Sequence, residues 1–248
     1  MAEQITVLWL YPDILNLHGD RGNLMALERI GSLLDLPVAV RRVDKLTDPL
    51  PLEEADLLVL TSGEVKNMPH VADALRRDRD ALDRYVARGG HLLAIGTAGA
   101  VLARETQRLD GASFLGLGLL PMRCQERPQV YGDDIWFSLP DDPELKLMGN
   151  QIQVIDTTLL EGAQPLGQVI YGYGNHGAQD EGCVAGRITF TNTLGPLLVK
   201  NPRYTERLLT TIAAGKGLTP AHGLSAEDTE YEDRSYQLIE RFIKQKMA

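Results

Sequence analysis

The sequence predicts an α/β fold, a mostly parallel sheet with helices on both faces. Three observations lead there. Short apolar runs alternate with stretches of helical periodicity through the first half of the chain, which is the pattern of βαβ units. The run from Ala55 to Thr61 is apolar at nearly every position from Leu57, as a central parallel strand covered on both faces requires. The strand from His91 to Ile95 meets the small residues Gly96-Thr97-Ala98-Gly99, and Ala100 to Glu105 opens a helix. Strand, tight turn and helix together have the shape of a nucleophile elbow.

Taken in order, Ile5 to Leu10 reads as the first strand. Asn23 to Leu34 places Leu24, Leu27, Ile30, Leu33 and Leu34 at helical spacing, and Val38 to Val43 resumes an extended pattern. Asp48-Pro49-Leu50-Pro51 punctuates before the strand at Ala55. His70 to Arg88 carries Val71, Ala74, Leu75, Leu82, Tyr85 and Val86 on one stripe and stops at Gly89-Gly90, which predicts one helix. From Leu117 to Phe190 the pattern turns β-rich, with Ile135 to Ser138, Ile152 to Ile155 and Gln168 to Tyr173. These pieces either complete the same sheet or form a small antiparallel layer. Asn201-Pro202 starts a helix through about Ala213, and Gly215 to Gly223 reads as a linker. Ser225-Ala226-Glu227-Asp228 resembles a capping box opening a last helix with Ile239, Phe242 and Ile243 on one face.

Composition excludes several classes. Twenty-five Lys and Arg against 34 Asp and Glu give a net charge of −9, and no basic run could grip a phosphate backbone, so nucleic acid is not expected as a partner. The longest apolar stretch, Leu92 to Ala103, is broken by Gly96, Thr97 and Gly99 and falls short of a membrane span. Met1-Ala2-Glu3-Gln4 lacks the features of a signal peptide. Cys124 and Cys183 have no neighbour at metal-ligand or CxxC spacing and read as buried apolar residues in a reducing cytoplasm, with a disulfide between them left open. No metal site and no cofactor is predicted.

Four stretches carry a family resemblance. Leu10-Tyr11-Pro12-Asp13-Ile14-Leu15-Asn16-Leu17-His18-Gly19-Asp20-Arg21-Gly22-Asn23 is the most specific. Gly167 to Asn175, Gly195 to Pro202 and the elbow complete the set. Over residues 5 to 215 the chain resembles the class I glutamine amidotransferases of the CobB/CobQ type, and within them the glutaminase subunits of lipid II isoglutaminyl synthases. The resemblance implies a flavodoxin-like fold in a domain at 1–215, with 216–248 an appended helical segment. It also implies chemistry in which an elbow Cys attacks the glutamine amide, a His activates it, and backbone N–H groups hold the oxyanion.

Read residue by residue, the chain departs from that pattern. Gly96 stands where the family's A-I-C-G-G-Y-Q has its nucleophile, and Leu194 stands where H-G-P-L has its base. The G-G-G-Q-D that supplies an oxyanion N–H appears as Thr61-Ser62-Gly63-Glu64-Val65, with Gly63 the one glycine kept. Thr97 is the hydroxyl nearest the elbow; with no base beside it, it reads as a turn residue bonding backbone. Gly63, Thr97, Asn175 and His176 are candidates for lining the pocket, His176 reading more simply as a solvated loop residue. Asp20 and Arg21 are candidates for holding a phosphate or carboxylate. The plainer alternative has Asp20 capping the following helix and pairing with Arg21.

The expectation is a glutamine amidotransferase-like protein without glutaminase chemistry, partnered with a Mur-ligase-type amidating subunit in cell-wall precursor modification. Two alternatives stand beside it. In one, glutamine hydrolysis runs through His176 with Cys124 or Cys183; in the other, the former glutamine pocket holds a different small molecule.

Overall fold

The computed structural model describes residues 4–248. The first half runs β1 (Ile5–Leu10), α1 (Arg21–Leu33), β2 (Val38–Val43), β3 (Leu57–Leu60), α2 (Met68–Arg77), α3 (Arg79–Ala87), β4 (His91–Ile95) and α4 (Gly99–Leu102). The second half adds β5 (Glu105–Gln107), β6 (Ser113–Leu115), β7 (Met122–Leu139), β8 (Asp142–Leu159), β9 (Gly167–Tyr171), β10 (Asp180–Glu181), β11 (Cys183–Ala185) and β12 (Ile188–Thr191). Three helices follow, α5 (Leu197–Lys200), α6 (Pro202–Gly215) and α7 (Glu230–Met247).

One six-stranded sheet has the order β11-β12-β4-β3-β1-β2, parallel throughout except for the edge strand β11. Its inner strands β1, β3 and β4 are buried on both faces, so successive side chains feed two cores. Leu8, Leu58, Leu60, Leu92 and Ala94 pack with Met68, Val71, Leu75 and Leu82. Trp9, Val59, Leu93 and Ile95 pack with Leu27, Ile30, Leu209 and Ile212. Helices therefore cover both faces, as expected.

The β-rich stretch does both of the things anticipated for it. β11 and β12 extend the first sheet, while β7 and β8, 18 residues each, form a long antiparallel hairpin that carries a second sheet with β5, β6, β9 and β10. The predicted strands 135–138 and 152–155 are segments of this hairpin.

Four expectations need correction. The helix drawn from His70 to Arg88 is two, broken at Asp78 (φ −100°, ψ 22°), where an aspartate competes poorly for helical backbone. The helix drawn from Ala100 to Glu105 stops at Leu102, because Glu105 pairs with Arg123 of β7 and becomes strand. The Ser225–Asp228 box forms its bonds, Ser225 N to Asp228 Oδ2 at 2.8 Å and Asp228 N to Ser225 Oγ at 3.2 Å, but around a turn, and α7 begins only at Glu230. On α7, Ile243 is buried with Trp136 and Met148, whereas Phe242 is 51% exposed; Tyr236 takes the inward place and its hydroxyl accepts from Trp136 Nε1 at 2.7 Å. Both cysteines are free and buried.

The turn into β4 is tightly built. A Cβ on Gly90 would lie 2.3 Å from the Tyr85 ring, and the buried Tyr85 hydroxyl donates to the His91 carbonyl. Gly90→Ala should therefore lower unfolding free energy by about 1–3 kcal/mol, measurable by urea titration; an unchanged midpoint would show that the ring yields without cost.

Candidate functional site

The carboxyl ends of the parallel strands, where open α/β sheets place ligands, hold the elbow. Gly96 follows β4 with φ +59°, a region that a glycine enters without strain. A Cβ built on it would lie 2.2 Å from Ser62 Oγ and 3.2 Å from Leu194 Cδ2. Positions 62, 96 and 194, from three separate connections, thus meet at one point. The Ser62 hydroxyl fills the space a side chain at 96 would occupy, and donates to the Ile95 carbonyl at 3.2 Å. Leu194, 2% exposed, supplies only hydrocarbon.

The segment after β3 is fixed from below and above. Ser62 N donates to Asp20 Oδ2 at 2.9 Å, and burial pushes the Asp20 carboxyl up to about 7. Gly63 allows no side chain, since a Cβ there would meet the Ile14 carbonyl at 2.5 Å. Its N–H donates to Thr97 Oγ1 at 2.9 Å, and the Thr97 hydroxyl donates back to the Gly63 carbonyl at 2.7 Å. The amide that could face an oxyanion is therefore already bonded to a side chain. Beside this lies an open cleft of about 540 Å³, whose lining includes His18, Ser62, Lys66, Thr97 and Arg108. Burial pushes His18 below the usual histidine range.

Leu194 is held by a two-way bridge to β8, Asn150 N to its carbonyl at 3.1 Å and its own N–H to Asn150 O at 2.8 Å. The residues before it are tied to Glu181, fully buried, which accepts from Thr191 Oγ1 at 2.6 Å, Asn192 N at 2.7 Å and Thr193 Oγ1 at 3.2 Å. Asn175 is a strut in the same network, exchanging bonds of 2.9 Å with Gly182 and accepting from Asn192 Nδ2 at 3.0 Å. Its neighbour His176 is exposed on the turn. Cys124 and Cys183 are 4% and 0% exposed, and burial pushes their thiols up to about 12 and about 11, so neither is a ready thiolate.

No protein-family model matches the chain. It is 27% identical over 232 residues to the GatD subunit of the glutamine-hydrolysing lipid II isoglutaminyl synthase of Streptococcus pneumoniae, covering 93% of this chain and 86% of the relative. To the corresponding GatD subunit of Staphylococcus aureus it is 26% identical over 247 residues, 99% of each. A crystal structure of a glutamine amidotransferase superposes with TM-score 0.54 at 18% identity, covering 84% of this chain and 98% of that one. The fold is that of a glutamine amidotransferase. A second such enzyme, from Thermotoga maritima, superposes with TM-score 0.50 at 14% identity over 97% of this chain and 99% of its own.

Within this glutamine amidotransferase fold, Gly96, Leu194, Gly63 and Thr97, the positions singled out in the sequence, lie near one another around the elbow. The sequence reading misjudged the opening motif. Asp20 stands at the N-terminus of α1, yet its carboxylate makes no helix cap; it turns inward to Ser62 and, at 3.4 Å, to Asn23 Nδ2, because the loop before it buries it completely. Arg21 is exposed and forms no ion pair with Asp20 among the described residues. Three buried groups were missed, Ser62, Glu181 and the pair Gln151–Gln153, whose amides hold the Tyr173–Asn175 turn. The polar triplet Thr191-Asn192-Thr193 after an apolar strand, and the Gln-x-Gln alternation, were the available signals. Among the described residues no cluster of His, Cys, Asp and Glu could hold a metal, and no helix is long and apolar enough to cross a membrane.

Proposed function

We propose that this chain is a GatD-like subunit, of the CobB/CobQ type, that has lost glutaminase chemistry and serves in the cytoplasm as binding partner of a Mur-ligase-type amidating subunit acting on a cell-wall precursor. The observation that carries the reading is the meeting at Gly96. Hydrolysis through a thioester needs a thiolate there, a proton acceptor beside it and a free N–H for the oxyanion. In their places stand the Ser62 hydroxyl, the Leu194 side chain and an amide bonded to Thr97. The similarity to two GatD subunits over nearly the full chain supports the amidation context, since each relative is by name one subunit of a synthase.

The buried thiols and the exposed His176 give the relocated-nucleophile alternative nothing to use. The open cleft does favour a second reading, in which a small molecule occupies the former glutamine pocket.

The test is a glutaminase assay of the purified chain, alone and with a co-expressed Mur-ligase-type subunit from the same genome. Turnover should stay at background, roughly 10⁴-fold or more below an intact triad, while the two chains co-purify. Glutamine turnover abolished by Ser62→Ala would make Ser62 the nucleophile and overturn the reading. Absence of a complex with an otherwise folded ligase would remove the partner role.

A further inference from the structure

A second cavity, of about 350 Å³, lies at the other end of β4 from the elbow and shares no residue with the elbow cleft. His91, the first residue of β4, and Tyr204 of α6 both line it, between walls that include Leu57, Leu139 and Leu208. Two buried polar side chains there lack partners among the described residues. His91 is 7% exposed and its Nε2 has no hydrogen bond. Tyr204 is 8% exposed; its hydroxyl forms no hydrogen bond among the described residues and is not sealed from solvent. Native interiors rarely leave a sealed group such as the His91 nitrogen unpaired. The sealed His91 nitrogen and the unpaired Tyr204 hydroxyl on one cavity point to a place that a ligand completes.

The charges select the ligand. Arg207 at the rim is held by Asp141 and, at 3.9 Å, by Asp142. Among the described residues Arg187, which also lines the cavity, bonds only the Gly89 carbonyl, at 2.7 Å, and forms no ion pair. A guanidinium can only donate, and burial pushes the Tyr204 phenol up to about 12, so it stays a donor as well. Burial and the nearby Arg187 push His91 down to about 4, leaving it neutral at pH 7 with one N–H to give. One uncompensated cation among donors suits a single negative charge; a phosphate dianion would need more. The leucine walls suit hydrocarbon, and the volume falls at the small end of the range for small-molecule sites.

We propose that this cavity binds a small carboxylic acid, its carboxylate held by Arg187 with Tyr204 and His91, its apolar body packed between Leu57, Leu139 and Leu208. The site stands independently of the function proposed for the elbow.

The probes are 3-phenylpropionate, hexanoate and the uncharged 3-phenylpropionamide, titrated into the full chain and followed by NMR. At least one acid should give saturable shifts at Leu93, Thr189 and Leu208 below about 10 mM, with the amide weaker by about tenfold or more. Arg187→Met should weaken the acid by about tenfold. Tyr204→Phe should weaken it by about threefold to tenfold while leaving the melting temperature unchanged or higher, because the lost hydroxyl bonds nothing in the free protein. Leu208→Trp should abolish binding by filling the space. No saturable shift with either acid, shifts confined to the elbow cleft, or affinity unmoved by both Arg187→Met and Tyr204→Phe would overturn the proposal.

Discussion

On the proposed reading, placing a thiol at position 96 and an imidazole at position 194 alone should not produce glutamine hydrolysis. In Gly96→Cys with Leu194→His, the new Cβ arrives 2.2 Å from Ser62 Oγ, a separation no two such atoms sustain, so the Ser62 side chain must swing away from the Ile95 carbonyl or the elbow must deform. Adding Ser62→Gly removes that conflict. The triple variant should then be labelled stoichiometrically at its introduced elbow thiol by a glutamine-mimicking electrophile, where the double is labelled slowly, and should turn over glutamine weakly. Its remaining defect is the Gly63 N–H, still bonded to Thr97 Oγ1 at 2.9 Å. Removing one oxyanion donor costs about 10²–10³ in kcat, so adding Thr97→Gly should raise the triple variant's kcat by up to that factor. Equal labelling of the double and triple variants would show that Ser62 is no obstacle, and no gain from Thr97→Gly would show that the Gly63 amide is not the donor.

The second large effect is a pair of opposed pH dependences. Burial pushes Asp20 from 3.8 up to about 7. Between those values the folded chain keeps a proton that the unfolded chain releases, so this group's contribution to stability falls as pH rises, by up to about 4 kcal/mol in total. His91 is pushed from 6.5 down to about 4. Here the unfolded chain takes up the proton first, so its contribution falls as pH drops from about 6.5 to 4, by up to about 3 kcal/mol. In the unmodified protein the two oppose each other across one window. Asp20→Asn should unmask a stability that rises with pH, and His91→Leu one that falls with it. Buried Glu181, also pushed upward, acts in the same sense as Asp20 and is present in both variants. Urea unfolding at about pH 4.5, 5.5 and 6.5 resolves the slopes; variants that both keep the parent slope would mean that neither group is shifted as described.

The parallel sheet was legible in the sequence because its inner strands are buried on both faces, which leaves short unbroken apolar runs such as Leu57–Leu60 and His91–Ile95. The elbow was legible for a different reason, since small residues between a strand and a helix have few uses. What escaped the sequence was set by contacts across long separations. Glu105 becomes strand only because β7 lies beside it. Phe242 and Tyr236 lie on neighbouring faces of α7, and the Trp136 indole decides which turns inward. Asp20 reads as a helix cap until Ser62, 42 positions away, offers its amide. Positions 96 and 194 stand out in the sequence itself, while Ser62 as the third member of their cluster emerges only from the geometry.

The two free cysteines make the protein its own clock. Cys183 lies on the edge strand of the parallel sheet and Cys124 on β7 of the second, both sealed from solvent. A small alkylating reagent can reach either sulfur only while the structure around it is open, so each modification rate reports the frequency of one opening event. If the two sheets separate only on global unfolding, both sulfurs react with one rate constant and one denaturant dependence. If the long hairpin breathes alone, Cys124 is consumed first, and the interval between the two measures how firmly that layer is fastened to the sheet beneath the elbow.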